Sequence, residues 1–259
     1  MEARWLRPFR FTLRLATLLV HIVVGIPVTV LCIGVGRGIR VGDRGLDEFM
    51  LNAWSRGACR IFGIRLALEG APAAPPVLVV SNHISWLDIE VLHAVAAMGF
   101  VGKAEIRGWP VVGRLATIGG TIFHERGSRH SADDVATALA ERLKQGRRVA
   151  IFPEGGILPG DHVKRFHARL FKAAVETGSP VQPVMIRYVR NGRRDPGVGF
   201  HRHEHFVGNI ARLLARPGCT AQVRFMAPMP SAGKPRRALA DAACDQVREA
   251  FEEPVTAEP

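Results

Sequence analysis

Short apolar runs rich in valine and isoleucine alternate along this chain with longer segments of helical periodicity. Runs of four to eight such residues are typical of buried strands, and their alternation with helices predicts a layered α/β domain. We expect a central, mostly parallel or mixed sheet flanked by helices. The predicted strands are Ile64–Leu68, Val77–Ser81, Phe100–Lys103, Thr121–Glu125, Val149–Phe152, Val181–Tyr188 and Ala221–Phe225. The predicted helices are Trp86–Met98, Trp109–Leu115, Ser131–Lys144, Phe166–Glu176, Phe206–Leu214 and Lys234–Phe251.

An uncharged apolar run, Leu15–Val35, lies between two groups of arginines near the N-terminus. Its length is sufficient to cross the ~30 Å hydrocarbon core of a bilayer as a helix. A cleaved signal peptide is the alternative, but the run is longer than a typical signal core and Gly34–Arg37 is a poor cleavage site. Pro27 is expected to kink the helix, and His21 is costly in lipid. A bent or shallowly inserted membrane helix therefore remains open.

The segment Leu46–Phe62 carries apolar residues beside arginines. This pattern fits an amphipathic helix on an anionic bilayer and equally a helix that packs on the core. We predict an N-terminal membrane anchor over residues 1–45, a catalytic domain over 46–252 and a loose tail over 253–259.

The chain is strongly basic, with 35 Lys and Arg against 23 Asp and Glu and a formal net charge of +12. This charge predicts attraction to an anionic membrane surface or to phosphorylated substrates. Nucleic acid is not an expected partner, because the aromatic residues lie mostly inside apolar runs rather than among basic ones. The four cysteines are widely spaced without a C-x-x-C pair, which argues against a disulfide framework or a metal knuckle. The alternating histidines of His201–His205 lack a second ligand cluster, so no metal is expected.

Chemistry-bearing residues follow two of the predicted strands. His83 comes just after Val77–Ser81, with Asp88 five residues further on, and Glu154 and Gly155 follow Val149–Phe152. Ligands of such sheets bind beyond the carboxyl ends of the strands. A histidine there, oriented by a carboxylate, can remove a proton from a hydroxyl group. Gly155 allows close approach of the backbone and could present amide donors to a substrate.

Ser85 and Asp88 have the spacing of a capping box. We therefore interpret Ser85 as the residue that begins the helix carrying Asp88, and not as a nucleophile.

Four blocks of this sequence resemble, in order, the blocks of the lysophosphatidic-acid acyltransferase (glycerolipid acyltransferase) family. They are Asn82–Asp88, Gly120–Arg126, Phe152–Gly155 and Val181–Ile186. The resemblance implies a membrane-bound O-acyltransferase that makes phosphatidic acid, with His83 as general base and Asp88 as its orienting group. It also implies that Arg126 and Glu154 bind the phosphate-bearing acceptor, since a guanidinium group can contact two phosphate oxygens at once.

The same resemblance implies no cofactor: acyl-CoA or acyl carrier protein is the acyl-donor substrate and a lysophospholipid is the acceptor. Because such donors are cytoplasmic, the catalytic domain is expected on the cytoplasmic face of the inner membrane. The fourth block, Val181–Ile186, is expected to be a core strand that lines the acyl pocket.

The third block departs from the family pattern. Where a threonine and then a polar or basic residue commonly follow Pro-Glu-Gly, this chain has Gly156 and Ile157. Lys164, Arg165 and Arg169 could supply the missing charge or could be an ordinary solvated surface. The altered block leaves open another acceptor, such as a lyso-ornithine lipid. A catalytically idle lipid-binding protein and a thioesterase are further alternatives, although the His83–Asp88 pair disfavours the first and Arg126 and Glu154 disfavour the second.

Overall fold

The computed structural model describes residues 6–35, 38–42, 44–109, 113, 116–117, 120–124, 129–157 and 160–255. The helices are α1 (Leu6–Val35), α2 (Leu46–Ile61), α3 (Leu87–His93), α4 (Arg129–Lys144), α5 (Lys172–Thr177), α6 (Phe206–Ala215) and α7 (Arg236–Glu252). The strands are β1 (Arg40–Val41), β2 (Arg44–Gly45), β3 (Ile64–Glu69), β4 (Val77–Ser81), β5 (Gly99–Lys103), β6 (Ile122–His124), β7 (Arg148–Ile151), β8 (Val181–Arg190), β9 (Arg193–Arg194) and β10 (Cys219–Phe225).

The centre of the domain is an eight-stranded mixed sheet in the order β3-β10-β8-β4-β7-β5-β6, with β9 beside β8. The predicted α/β architecture is therefore confirmed. Strand β4 is buried on both faces and lies between β8 and β7, both parallel to it. A strand with two covered faces reads as a continuous apolar run, which is why Val77–Ser81 was predictable to the residue. The carboxyl ends of β4 and β7 consequently meet at one edge of the sheet.

The helices differ more from the prediction than the strands do. Helix α3 ends at His93, five residues before the predicted Met98. Two carbonyls at this end accept hydrogen bonds from α2 side chains: Asn52 donates to His93 O and Arg56 donates to Ala94 O. These contacts satisfy groups that further helical turns would otherwise use.

The starts of three predicted helices were also wrong, and one of these is α7, which begins at Arg236 and not at Lys234. Helix α4 begins at Arg129, so Ser131 lies in its first turn and not before it. The predicted helix Phe166–Glu176 begins late, as a 3₁₀ turn at Ala168 followed by α5. There the His167 N–H donates to Pro153 O at 2.8 Å, which holds the chain extended before the turn. The predicted helix Trp109–Leu115 lies largely outside the described residues.

Helix α1 runs without a break through Pro27 and packs against α2 and α6. In the described part of the chain, its segment Leu6–Cys32 is the one helix long and apolar enough to cross a membrane. The polar ring of His21 stacks on Trp54 of α2 at 4.0 Å and bonds the Trp54 carbonyl. Glycines permit this close approach, since a Cβ at Gly25 would lie 2.6 Å from the Trp54 ring.

The end of β4 is tied to β8 by a side chain. Asn82 is 2% exposed, and its amide donates to Ile186 O and accepts from Ile186 N, each at 2.8 Å. The side chain thus continues the strand pairing for one residue after β4 has ended. It fixes the position from which His83 leaves the sheet.

We predict that Asn82→Ala leaves the N–H and the carbonyl of Ile186 buried without partners. Each such group costs about 1–3 kcal/mol, so the free energy of unfolding should fall by about 2–6 kcal/mol. Urea unfolding in a mild detergent measures this. Gln145→Ala, which removes an exposed amide after α4, is the matched control and should change stability little. Equal stability of the two variants would contradict the structural role of Asn82.

Candidate active site

The two chemistry-bearing segments meet at the sheet edge formed by β4 and β7. Val80 of β4 lies beside Ile151 of β7 in a parallel register, so the residues that follow are neighbours. The His83 N–H donates to Glu154 Oε2 at 2.7 Å. The structure therefore brings together residues that lie 71 positions apart in the sequence.

The side chain of Asp88 is fully buried and accepts four hydrogen bonds. Its Oδ2 accepts from the backbone N–H groups of Ile84 at 2.7 Å and Ser85 at 2.9 Å, and lies 2.8 Å from His83 Nδ1. Its Oδ1 accepts from the Tyr188 hydroxyl at 2.7 Å. Burial, and then the Asp88 charge, raise the pKa of Tyr188 well above its ordinary value, so this phenol stays a donor.

This arrangement decides the tautomer of His83. Asp88 already accepts from three other donors, so its Oδ2 serves as an acceptor toward the ring and Nδ1 carries the hydrogen. The other ring nitrogen, Nε2, then keeps its lone pair. The His83 side chain is 12% exposed, which leaves the ring accessible at one side. A fixed imidazole with a free lone pair is equipped to act as a general base.

Aromatic rings hold the plane of the imidazole. Phe152, the residue after β7, stacks on the His83 ring with centroids 3.9 Å apart and planes 11° apart. Phe100 stacks on Phe152 from the other side at 5.7 Å. The ring of His83 therefore lies between its carboxylate partner and an apolar wall.

Ser85 makes only part of the contacts expected of a helix-capping residue. Its hydroxyl accepts from Leu87 N at 3.3 Å, while its own N–H donates to the Asp88 carboxylate. The bond from Ser85 N to Asp88 is the one that the acid of a capping box makes. The serine hydroxyl bonds Leu87 N and not Asp88 N, however, and the residue before helix α3 is Trp86, so Ser85 is not the N-cap of this helix.

Glu154 is 7% exposed, and both of its carboxylate oxygens accept from backbone amides. One bond comes from His83 and the other, to Oε1, comes from Lys164 N at 2.9 Å. Burial raises the pKa of Glu154 to about 7, against the lowering effect of these two amides. Glu154 thus links the segment after β7 to the segment that carries His83.

Gly155 lies in the left-handed region with φ of 80°, which favours glycine. Its N–H donates to Phe152 O at 3.2 Å, so this amide is used within the turn. A Cβ here would lie 3.5 Å from the ring of His167. The ring of His167 therefore bounds the space beside Gly155.

Arg126 lies outside the described residues. Of the three basic residues after Gly155, Arg165 pairs with Asp241 at 3.2 Å on the surface. Lys164 contributes its backbone amide to Glu154. Arg169 is exposed.

In the His201–His205 segment, the acid serves as a partner for an arginine. Glu204 accepts from Arg212 Nε at 2.7 Å and from Arg212 Nη2 at 2.9 Å, and these bonds lower the pKa of Glu204 to about 2. Asn209 also donates to Glu204. The segment is thereby fastened to α6.

Sequence reasoning missed three residues of this site: Asn82 as a structural link, Phe152 as the stacking partner and Tyr188 as a donor to Asp88. Tyr188 is the one tyrosine of the chain, and it stands in a run that reads as apolar core. That lone hydroxyl was a signal, because a buried phenol requires a partner. Nothing local in the sequence identified Asp88 as that partner.

The site, a His-Asp pair at the edge of a mixed α/β sheet, can activate a hydroxyl group for acyl transfer. Comparison with known proteins agrees with this chemistry. The chain matches the family model described as Acyltransferase over residues 65–187. It is 37% identical over 203 residues to the lyso-ornithine lipid O-acyltransferase of Pseudomonas aeruginosa, and this alignment covers 78% of each of the two chains.

It is also 37% identical over 158 residues to the 1-acyl-sn-glycerol-3-phosphate acyltransferase of Neisseria meningitidis, covering 59% of this chain and 62% of that protein. The crystal structure of the 1-acyl-sn-glycerophosphate acyltransferase PlsC from Thermotoga maritima has the same fold. Its TM-score is 0.71 at 21% identity, over 98% of this chain and 99% of that one. The chain belongs to the lysophosphatidic-acid acyltransferase family, and it is an acyltransferase.

We predict that Tyr188→Phe removes one of the four donors to the buried Asp88 carboxylate. An acceptor left without its partner costs about 1–3 kcal/mol, so the thermal melt should shift downward. Because Asp88 orients His83, kcat should also fall while the KM values for both substrates stay unchanged. Thermal denaturation and steady-state kinetics test this. A variant with the wild-type melt and wild-type kcat would show that the phenol contributes nothing to the pair.

Proposed function

We propose that this enzyme transfers a fatty acyl group from an acyl thioester, either acyl-CoA or acyl carrier protein, to the hydroxyl group of a lysolipid. The observation that carries the proposal is the His83–Asp88 pair, in which three other donors fix the carboxylate and the carboxylate fixes the ring. Such a histidine needs no serine or cysteine nucleophile. The alcohol itself attacks.

In this mechanism His83 Nε2 removes the proton from the lysolipid hydroxyl as its oxygen attacks the thioester carbonyl carbon. A carbon–oxygen bond forms and the carbon–sulfur bond then breaks. The leaving thiolate then takes this proton from the imidazolium and becomes a thiol, and His83 returns to its neutral form. Asp88 stabilises the imidazolium while it exists, and holds the ring in the reactive tautomer.

For the acceptor, we favour a lyso-ornithine lipid over lysophosphatidic acid. The relative from Pseudomonas aeruginosa matches this chain over more of its length than the one from Neisseria meningitidis. The third block, with Gly156 and Ile157 after Gly155, also departs from the phosphate-accepting pattern. Lysophosphatidic acid remains the second candidate, because each of the two relatives is 37% identical to this chain over its aligned residues.

The enzyme needs a group that binds the anion of the acceptor, since both candidate lysolipids carry a phosphate or a carboxylate. We propose Arg126 for this role, on the strength of its place in the second block. Glu154 suits a different role. Both of its oxygens already bind backbone amides, so we propose that it positions the His83 backbone, with direct contact to the acceptor as the alternative.

We further propose that α1 anchors the enzyme in the cytoplasmic membrane with the domain on the cytoplasmic face. Its segment Leu6–Cys32 supports this, because an 18-residue window within it has a mean hydropathy of 2.4 and is little buried against the rest of the protein. A lysolipid acceptor resides in that membrane, whereas the thioester donor arrives from the water. An enzyme fixed at the interface can reach both.

To test the function, purified enzyme is given oleoyl-CoA with an equimolar mixture of lyso-ornithine lipid and lysophosphatidic acid, and products are read by mass spectrometry. Acylated ornithine lipid should predominate. His83→Ala and Asp88→Asn should each lower the rate by about 10²–10⁴-fold, the usual contribution of general-base catalysis. His162→Ala, at an exposed histidine beside Asp161, should keep full activity. Free oleate as the main product would indicate a thioesterase, and a folded, fully active His83→Ala would refute the mechanism.

A second prediction separates the two roles of Glu154. Glu154→Gln offers one oxygen to two N–H donors, so one bond is lost and His83 moves. Loss of a bond to a charged group is worth about 1.5–3 kcal/mol, which corresponds to a fall in kcat of up to about 10- to 100-fold. If Glu154 positions His83, the acceptor KM should change little. A raised acceptor KM at unchanged kcat would instead support direct substrate contact. Glu141→Gln, on the exposed face of α4, is the matched control.

The pH dependence should differ as well. With a pKa of about 7, Glu154 takes up a proton as the pH falls through neutrality and loses acceptor capacity, so wild-type activity should decline there. The glutamine variant lacks this titration, and its acid limb should be less steep. The contribution of Glu154 to the free energy of unfolding should depend on pH in the direction opposite to activity. The folded state holds this proton more tightly than the unfolded chain, so this group's contribution to the free energy of unfolding decreases as the pH rises from 4.5 to about 7.

A further inference from the structure

The hairpin formed by β8 and β9 carries three arginines in the sequence Arg190-Asn191-Gly192-Arg193-Arg194. Asn191 and Gly192 have φ angles of 53° and 71°, as a type I′ turn requires. The turn places Arg190 directly opposite Arg193 across the two strands. Like charges in this position destabilise a strand pair. Asp195 lies beside Arg190 but no acid pairs with Arg193 in the described part of the chain, so a bound anion would relieve the remaining repulsion.

The hairpin tip lines an open cavity of about 470 Å³. The acid of the cavity is Asp195, and two arginines share its carboxylate. Arg190 Nε lies 3.4 Å from Asp195 Oδ2, and Arg216 Nη2 bonds the same oxygen. The lining residues are Arg190, Asn191, Arg193, Arg194 and Asp195.

The remaining positive charge is not neutralised by neighbouring acids. Arg194 donates to the neutral carbonyl of Phe251 at 2.6 Å and lies over the Phe251 ring. Arg193 is exposed, and its side chain has no partner within the described part of the chain. Arg216 is 8% exposed, and its Nη1 is buried without a hydrogen-bond partner among the described residues. Two guanidinium groups thus share the one carboxylate of the cavity, and Arg193 and Arg194 line the same cavity without contacting that carboxylate in the described part of the chain.

A chain of contacts links this basic cavity to α1. Arg14 of α1 donates to Arg216 O at 2.8 Å, and Arg10 donates to Ala215 O at 3.3 Å. Arg216 in turn bonds Asp195 of the cavity. Two successive contacts therefore join the cavity to the N-terminal turns of Leu6–Cys32. If that segment enters a bilayer, the cavity lies near the level of the lipid headgroups.

We propose that the cavity of the β8–β9 hairpin binds the phosphate of an anionic phospholipid headgroup. Guanidinium groups suit this ligand, because their planar donors match phosphate oxygens in pairs. The lining of this cavity does not include His83, Asp88 or Glu154, so we assign it a separate role: it holds the domain against the membrane surface. The inference rests on the proposed insertion of α1, which places headgroups within reach.

The test is flotation of the full-length protein with vesicles of phosphatidylcholine alone, or of phosphatidylcholine mixed with phosphatidylglycerol. Wild-type protein should bind both, and should bind the mixed vesicles more tightly. Each arginine near an anionic surface contributes about five-fold in affinity, so Arg190→Gln with Arg193→Gln should weaken binding to mixed vesicles by about 5- to 30-fold. Binding to phosphatidylcholine alone should stay as in wild type.

The matched control is Arg236→Gln with Arg237→Gln, the same charge change at an exposed site on α7. An equal loss in both double variants would show diffuse attraction to charge and overturn the site. A raised KM for acyl-CoA with unchanged vesicle binding would assign the cavity to the donor's phosphates, and also overturn the proposal. Should the double variant fail to fold, Arg193→Gln alone must still lose about five-fold. Failure of wild-type protein to bind neutral vesicles would instead refute the anchor.

Discussion

A buried carboxylate without partners would be among the most costly groups in a protein interior, and Asp88 is a fully buried carboxylate. Its cost is offset because four donors from three parts of the fold converge on it. Two are amides at the start of α3, one is the phenol of Tyr188 on β8, and one is the ring of His83. The geometry that makes Asp88 tolerable also fixes the tautomer of His83. Stability and chemistry therefore depend on the same four bonds.

The sheet supplies the precision that this convergence requires. Strand β8 runs parallel to β4 and continues past its end, so that Ile186 meets the Asn82 side chain and Tyr188 reaches Asp88. On the other side, β7 delivers Phe152 to the face of the His83 ring and Glu154 to its backbone amide. The segment Asn82–Asp88 is thus held by both neighbouring strands. A loop outside the sheet would not be restrained in this way.

Part of the positive charge of the protein lies near the N-terminal end of the apolar helix α1. The apolar helix α1 is suited to lipid, and its N-terminal arginines contact the end of α6. The basic hairpin is joined to that contact through Asp195 and Arg216. The polar ring of His21 on α1 is satisfied inside the protein by the Trp54 carbonyl. The net charge of +12 therefore includes a group of arginines assembled at the base of the apolar helix.

The sequence by itself determined the seven longer strands, but not the two-residue strands β1, β2 and β9. It also determined the apolar N-terminal segment and the positions of His83, Asp88 and Glu154 after β4 and β7. These features are local: a strand buried on both faces leaves an unbroken apolar run, and the residues after it lie at the sheet edge. Only the tertiary structure decided where α3 ends, because Asn52 and Arg56 of another helix satisfy its last carbonyls. It also decided that Tyr188 meets Asp88 across 100 residues and that Glu154 binds a backbone amide. Such partners follow from strand order, which brings distant residues together and which no local pattern of residues encodes.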